Sequence, residues 1–253
     1  MVEQIVNTNK EKFNLVIKLE SSVPSKMELI CYDPFKKGTV YMDRWKTIKG
    51  KENIEVRLPQ SPEKLMVKII ADSKDLKILG FEAKKLPTFP FCYNGNTNIK
   101  DFVKFAQDFC ENLFYLPKGE YYSDNRKFRI DLFPIITDDR TGRTLRTPAR
   151  INNRTGRIEV SKKHFADMTI PMRMSILLHE FSHFYLNKDV ANETEADLNA
   201  LKIYLSLGYP YIEAHKSFIH TFKGNQTLQN KMRYEEIKKF VKGYERNKYS
   251  LCL

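Results

Sequence analysis

The stretch "LLHEFSHFYLNKDVANETEAD", Leu177 to Asp197, decides how the second half of the chain is read. It opens with His179 and His183, four residues apart with Glu180 between them, and closes on three acids spaced by two, Glu193, Glu195 and Asp197. On an α-helix, residues four apart project from one face about one turn apart. Both imidazoles can then reach a single Zn2+ at about 2.0–2.1 Å. Glu180 is rotated roughly 100° away, out of the same coordination position but near enough to contact a water on the metal. The chain holds only five histidines. A chance HExxH made of satisfied core histidines is therefore the weaker reading.

The acids are ranked by helix geometry. If "NETEADLNALKIYLSLG" is one helix, Glu193, Asp197, Ala200, Leu201, Tyr204 and Leu207 share a face, and Glu195 lies opposite with Asn199, Lys202 and Ser206. The apolar companions mark the first face as inward. Glu193 is thus the expected third ligand, Asp197 the carboxylate that supports a ligand histidine, and Glu195 a solvated bystander. Two imidazoles and a carboxylate favour zinc, one per chain.

"HEFSH" followed by "NETEAD" resembles the gluzincin metallopeptidases, the thermolysin-like group with an HExxH helix and a glutamate ligand in an Asn-Glu-x-x-x-Asp helix. The site is also similar to that of the CAAX-processing membrane zinc peptidases, but this chain has no span. The nearest overall likeness is to minimal soluble gluzincins, and it covers about residues 97 to 210. Only nine residues separate His183 from Glu193, a link much shorter than in thermolysin. The resemblance implies a zinc metalloendopeptidase. A water in the fourth zinc position would lose its proton to Glu180, which would return it to the leaving amine. Tyr204, His215 and His220 are the candidates for stabilising the oxyanion, each against the blander reading of a packed or exposed aromatic. The resemblance further implies that "GRIEVS", just before the active helix, is an edge strand that binds extended peptide.

Outward from this core, the first ninety residues alternate apolar and polar. "KFNLVIKLE", "KENIEVRLP" and "EKLMVKIIAD" carry the period of half-buried strands, with weaker candidates in "MELICYD", "TVYMDRW" and "LKILGFEA". Five or six such short strands suggest an antiparallel β-sandwich over residues 1–90, best read as a docking or accessory domain with a partner of its own. It contains no histidine. "KKLPTFPFCYNGNTN" ends regular structure and puts the domain break near residue 90.

Residues 91–253 change period and read as a zincin-like metallopeptidase domain, giving an α+β chain overall. "NIKDFVKFAQDFCENLF" is helical, with Asn98 or Asp101 as cap. "KFRIDLFPIITD", "RTLRTPARI" and "GRIEVSKKHF" are strands. RTGR occurs twice, at 140–143 and 154–157, each with a glycine suited to a tight turn. Helices follow from about Pro171, interrupted at "LGYPY" by Gly208 and Pro210. His164, in "SKKHFADM", reads as structural.

The net charge of +12 favours acidic partners without defining chemistry. Eight of the 13 arginines fall between Arg126 and Arg157. They favour an acidic peptide or protein substrate, although a solvated face of two hairpins is the plainer reading. Nucleic acid is disfavoured, because no finger or aromatic platform accompanies them. The four cysteines lie far apart, which argues against a thiolate metal site. The start, "MVEQIVNTNKEKF", lacks the pattern of a signal peptide, and no apolar run is long enough to span a membrane. The expected location is cytoplasmic, or within a larger assembly. Two other functional classes accompany the peptidase: an assembly component such as a phage virion protein, with a vestigial or single-use site, and a DNA-associated protease.

Overall fold

The computed structural model describes residues 1–86, 96–222 and 227–246, the side chains of 220–222 excepted. The chain is mixed α and β, and divides into two compact units: Met1–Thr88 with Gly208–Pro210, and Phe89–Leu207 with Tyr211–Leu253. The division after Thr88 falls among residues 87–95, outside the described set, and the short Gly208–Pro210 segment departs from a single break near residue 90.

The first unit holds five strands, β1 (Val2–Asn7), β2 (Phe13–Tyr32), β3 (Val40–Leu58), β4 (Lys64–Ala71) and β5 (Lys77–Lys85), in one antiparallel sheet. Two of them are far longer than alternation suggested. "KFNLVIKLE" and "MELICYD" are the two halves of β2, and "TVYMDRW" and "KENIEVRLP" are the two halves of β3. A bulge between Ser21 and Ser25 joins the halves of β2, with the two hydroxyls 2.7 Å apart. Such an insertion breaks the ladder locally and redirects the strand. The first half of β2 accordingly pairs with β5 and the second with β4, while β3 follows both. Leu15, Ile17, Leu19, Met27, Leu29 and Cys31 share the buried face, as period-2 packing requires. β1 was not evident from its sequence, since most of its side chains are exposed.

The second unit begins with α1 (Thr97–Asn112), capped by Asn96, whose side chain accepts from the Ile99 N–H at 3.3 Å. The cap thus lies earlier than Asn98 or Asp101. A four-stranded sheet follows, β6 (Gly119–Tyr122), β7 (Arg129–Phe133), β8 (Ala149–Ile151) and β9 (Ile158–Ser161), in the order β6-β7-β9-β8. β7 and β9 are parallel, and β8 is an antiparallel edge. The short α2 (Lys162–Ala166) leads into α3 (Ile170–Tyr185), which packs against α1, α4 (Glu193–Ser206), α5 (Tyr211–Phe222) and β8. The last described helix is α6 (Leu228–Arg246).

α3 is the axis of this unit. Thr169 caps it, Pro171 fits its first turn, and residues 170–178 are all buried. A helix apolar on every side belongs in a core. Phe181 stacks on Phe102 of α1 with centroids 4.2 Å apart, and Phe128 meets both edge-on at 5.4 and 5.8 Å. Buried Arg173 donates 2.8 Å bonds to the carbonyls of Phe165 and Cys110, tying α2 and the end of α1 to α3.

The two RTGR turns share one hydrogen-bond plan that reaches two residues further back. Asp138 and Asn152 each accept through a side-chain oxygen from the N–H groups two and three residues on. Gly142 and Gly156 close the turns at φ of 66° and 69°. Only Gly156 is also hemmed in: a Cβ there would sit 2.8 Å from Phe184 and Tyr185, whereas one on Gly142 would meet open space.

Candidate metal centre

α3 presents His179 and His183 one turn apart near its C-terminal end, and α4 supplies Glu193 as its first residue. Asn192 caps α4 by accepting the Glu195 N–H at 3.0 Å. The seven-residue link is held by its own polar groups: Asn187 donates to the Asn192 carbonyl at 2.8 Å, and the Lys188 N–H donates to Glu195 at 3.1 Å. Glu195 is therefore half-buried and fixes the link, a structural part that helix-face ranking did not assign it.

Three ligand atoms converge. His179 Nε2 and His183 Nε2 are 3.0 Å apart, and the Glu193 oxygens stand 3.3 Å from the first and 3.7 Å from the second. Ligands at 2.0–2.1 Å on a tetrahedral metal are separated by about 3.3–3.4 Å. The observed triangle brackets that value, so the residues fit a zinc-sized ion. The far nitrogens are also engaged. His183 Nδ1 donates to the Val190 carbonyl at 2.8 Å, and His179 Nδ1 lies 2.8 Å from Asp197 Oδ1. His183 spends its Nδ1–H in this way, and the carboxylate beside His179 Nδ1 favours a proton there, so each ring turns an Nε2 lone pair toward the partner nitrogen. Two such lone pairs at 3.0 Å require a cation or a proton between them.

Without metal, the proton occupies that place. Burial pulls His179 down, but Asp197 and Glu193 outweigh it and raise its pKa to about 10. Burial and the neighbouring His179 charge lower His183, leaving one charged and one neutral ring. Glu193 is pushed up by burial, yet His179 and Arg233 hold it at about 2.

Arg233 of α6 completes the cluster, and nothing in the local sequence announced it. Its guanidinium grips the fully buried Asp197 as a fork, Nε to Oδ2 at 2.7 Å and Nη2 to Oδ1 at 3.0 Å, and Nη2 also lies 3.0 Å from Glu193 Oε2. A buried carboxylate without a partner is costly. Arg233 balances Asp197, which faces His179, so α6 sets the charge of a site built on α3 and α4.

The site lies in a cleft of about 520 Å3, walled by 147–151 and Asn153 on one side and by α3, α5 and α6 on the other. Glu180 lines it, with the backbone of Ile151 in β8 close enough to favour its charged form. Burial raises the Glu180 pKa, and the Glu193 charge adds to the rise against the opposing pull of His179. The strand at the cleft is thus β8, because β9, which holds "RIEVS", is interior between β7 and β8.

Neither Tyr204 nor His215 lines the cleft. Tyr204 shares the Glu193 face but sits eleven residues further along, about 16 Å at 1.5 Å per residue, and is fully buried. His215 Nε2 pairs with the Tyr234 hydroxyl at 3.0 Å. The His220 side chain is outside the described residues. His164 pairs with Ser161 through Nδ1 at 2.9 Å.

Three of the eight clustered arginines are held inside the sheet. Arg129 bonds Asp131 at 2.6 Å, Arg157 bonds Glu159 at 2.6 Å with its Nε 3.3 Å from Asp131, and Arg150 bonds Glu159 at 2.7 Å. Asp131 and Glu159 are buried, so this ladder joins β7, β9 and β8. Among the described residues, no helix is long and apolar enough to cross a membrane. Comparison with protein-family models, curated proteins and solved structures finds no match for this chain.

Proposed function

We propose that this chain is a zinc-dependent metallopeptidase of the gluzincin type, with a zincin-like domain over residues 91–253 and an accessory β-sandwich before it. The observation that carries the reading is the convergence of His179 Nε2, His183 Nε2 and a Glu193 oxygen, with Glu180 in the same cleft. His179, His183 and Glu193 would hold the ion, and Asp197 with Arg233 would orient His179 and Glu193. When bound, zinc supplies Lewis acidity that lowers the pKa of water and polarises a carbonyl.

The chain's own residues perform the rest. Glu180 carries the proton from water to the leaving nitrogen at its carboxylate, and the burial that raises its pKa favours a group that must both accept and return a proton. The Ile151 backbone of β8 favours the charged form of that carboxylate against the rise. Among the described residues β8 pairs only with β9, and an extended peptide would lie along its other edge, where the Thr147 hydroxyl now bonds the Ala149 carbonyl at 2.7 Å.

Metal content of the full chain purified without added metal, beside His179→Ala, tests the site; peptide-library cleavage beside Glu180→Gln tests the reaction. About one zinc per chain, lost in the first variant, with cleavage lost in the second, is the expected result. No zinc uptake in excess metal, or cleavage that survives Glu180→Gln, sinks the proposal.

A further inference from the structure

We infer that the cleft selects polypeptides bearing acidic residues on both sides of the segment laid along β8, about three to four positions from its centre. The inference rests on the metallopeptidase reading for its purpose, but its evidence lies in the rim of the cleft and not in the metal ligands.

The rim is the segment from Thr137 to Arg157, which holds six arginines, two aspartates and no other charged residue. Both acids are already engaged. Asp138 accepts from the Arg140 and Thr141 N–H groups at 3.1 and 2.8 Å and from the Thr141 hydroxyl at 2.9 Å. Asp139 meets Arg150 at 3.4 Å. Arg150 and Arg157 belong to the internal ladder with Glu159. Arg140, Arg143, Arg146 and Arg154 remain exposed, with no ion pair among the described residues.

Their placement follows the wall of the cleft. Residues 147–151 and Asn153 line it, so Arg146 stands immediately before the lining run and Arg154 immediately after. Arg150 is the midpoint, four residues from each. Four residues of extended chain span about 13 Å at 3.3 Å each, and the bend at Pro148 and the turn at Asn152 shorten both arms. A peptide beside β8 would therefore meet free positive charge within about three to four residues either side of its centre.

The centre itself offers none. The Arg233 charge is taken by Asp197 and Glu193, and Glu180, Glu193 and Asp197 are all carboxylates. With a divalent cation bound, this group balances to neutral, so charge selection falls to the rim. That pattern fits a polypeptide with an uncharged middle and acidic flanks. A nucleic acid fits less well, because its phosphates continue through the centre and residues 137–157 include no aromatic on which bases could stack.

The test uses the zinc-loaded full chain carrying Glu180→Gln, so that binding is read without turnover. Three labelled probes are compared by fluorescence polarisation: a 14-residue peptide with a neutral centre and four glutamates at each end, its glutamine counterpart, and a 14-nucleotide oligothymidylate. The acidic peptide should bind about tenfold tighter than the glutamine peptide at 50 mM salt, and the gap should close at 500 mM. Arg146→Glu with Arg154→Glu should abolish the preference. Arg126→Glu, in the turn between β6 and β7 at the far side of the sheet, should retain it. Equal binding of the peptides, or a preference that survives the double reversal, overturns the inference. Tighter binding of the oligothymidylate through the same arginines overturns it in favour of nucleic acid. Cleavage of the glutamine peptide by the wild-type chain is read separately, so failure of the peptidase reading is distinguishable from failure of the acidic preference.

Discussion

The two units solve burial in opposite ways. Among the described residues of the first, the buried polar ones are Thr8, Asn14, Ser21, Ser25, Thr39 and Ser61, none of them charged. In the second, Asp131, Glu159, Arg173, His183, Asp197, Glu213 and Arg233 are all buried. Burying a charge is costly unless it is paired and hydrogen-bonded; here Arg173 is held by carbonyls and Glu213 by Thr169 and Lys216, and the others form two networks, the sheet ladder and the cluster around His179. The first unit is organised by apolar area alone. The second places charge inside, where one part braces a sheet and the other could hold a metal ion.

The hardest test of that contrast is removal of a ligand. His183→Ala should cost at least about a hundredfold in zinc affinity, since even the groups that merely support ligands are worth 10–100-fold. Titration with a competing chelator measures it, and unchanged affinity would mean that the cluster is only a buried ion network. Next come two substitutions of similar stability cost and different consequence. Arg233→Met leaves Asp197 buried with no cation except His179 and should destabilise by about 3–5 kcal/mol. It should also weaken zinc. Ile17→Ala in the first unit should cost about 2–5 kcal/mol, with zinc affinity unchanged. Urea unfolding with and without metal separates them, and a zinc effect from Ile17→Ala would erase the distinction between the units.

Smaller effects sharpen the picture. Gly156→Ala pays the strain of positive φ, about 1–2 kcal/mol, and must also displace Phe184 and Tyr185. Gly142→Ala incurs the strain alone, so its melting temperature should fall less; equal losses would show that the aromatic contact carries no weight. Finally, zinc has to displace the proton that His179 holds up to about 10. Affinity should rise about tenfold per pH unit through neutrality and flatten above that value. For the metal-free protein the signs are set by the same groups. The raised His179 stabilises below its unfolded value, and that contribution is lost as pH rises through about 10. The lowered Glu193 stabilises above its unfolded value, with loss as pH falls through about 2. The contribution of this pair to the melting temperature of the metal-free chain, read as the difference from His179→Ala, should therefore be full between about pH 4.5 and 6.5 and shrink on both sides, and a difference that does not change with pH would contradict the pairing.

Much of the site was legible because its parts are local. The four-residue spacing of His179 and His183 and the shared face of Glu193 and Asp197 are properties of single helices, readable from periodicity. Tyr204 shows the limit of that method, since a common face says nothing of height along the axis. The long strands were half legible: alternation marked both halves of β2, but the Ser21–Ser25 bulge that joins them has no periodic signature.

By itself, the sequence determined the alternating sheet, the helical second half, the grouping of His179, His183 and Glu193 and the uneven arginine distribution, all of which depend on neighbours within a few turns or strands. Tertiary structure alone decided that Arg233, 36 residues from Asp197, closes the site, that β8 and not β9 is the edge at the cleft, and which arginines are held inside the sheet. Strand order and partner choice join residues far apart in the chain, and no local pattern encodes which distant charge will satisfy a buried one.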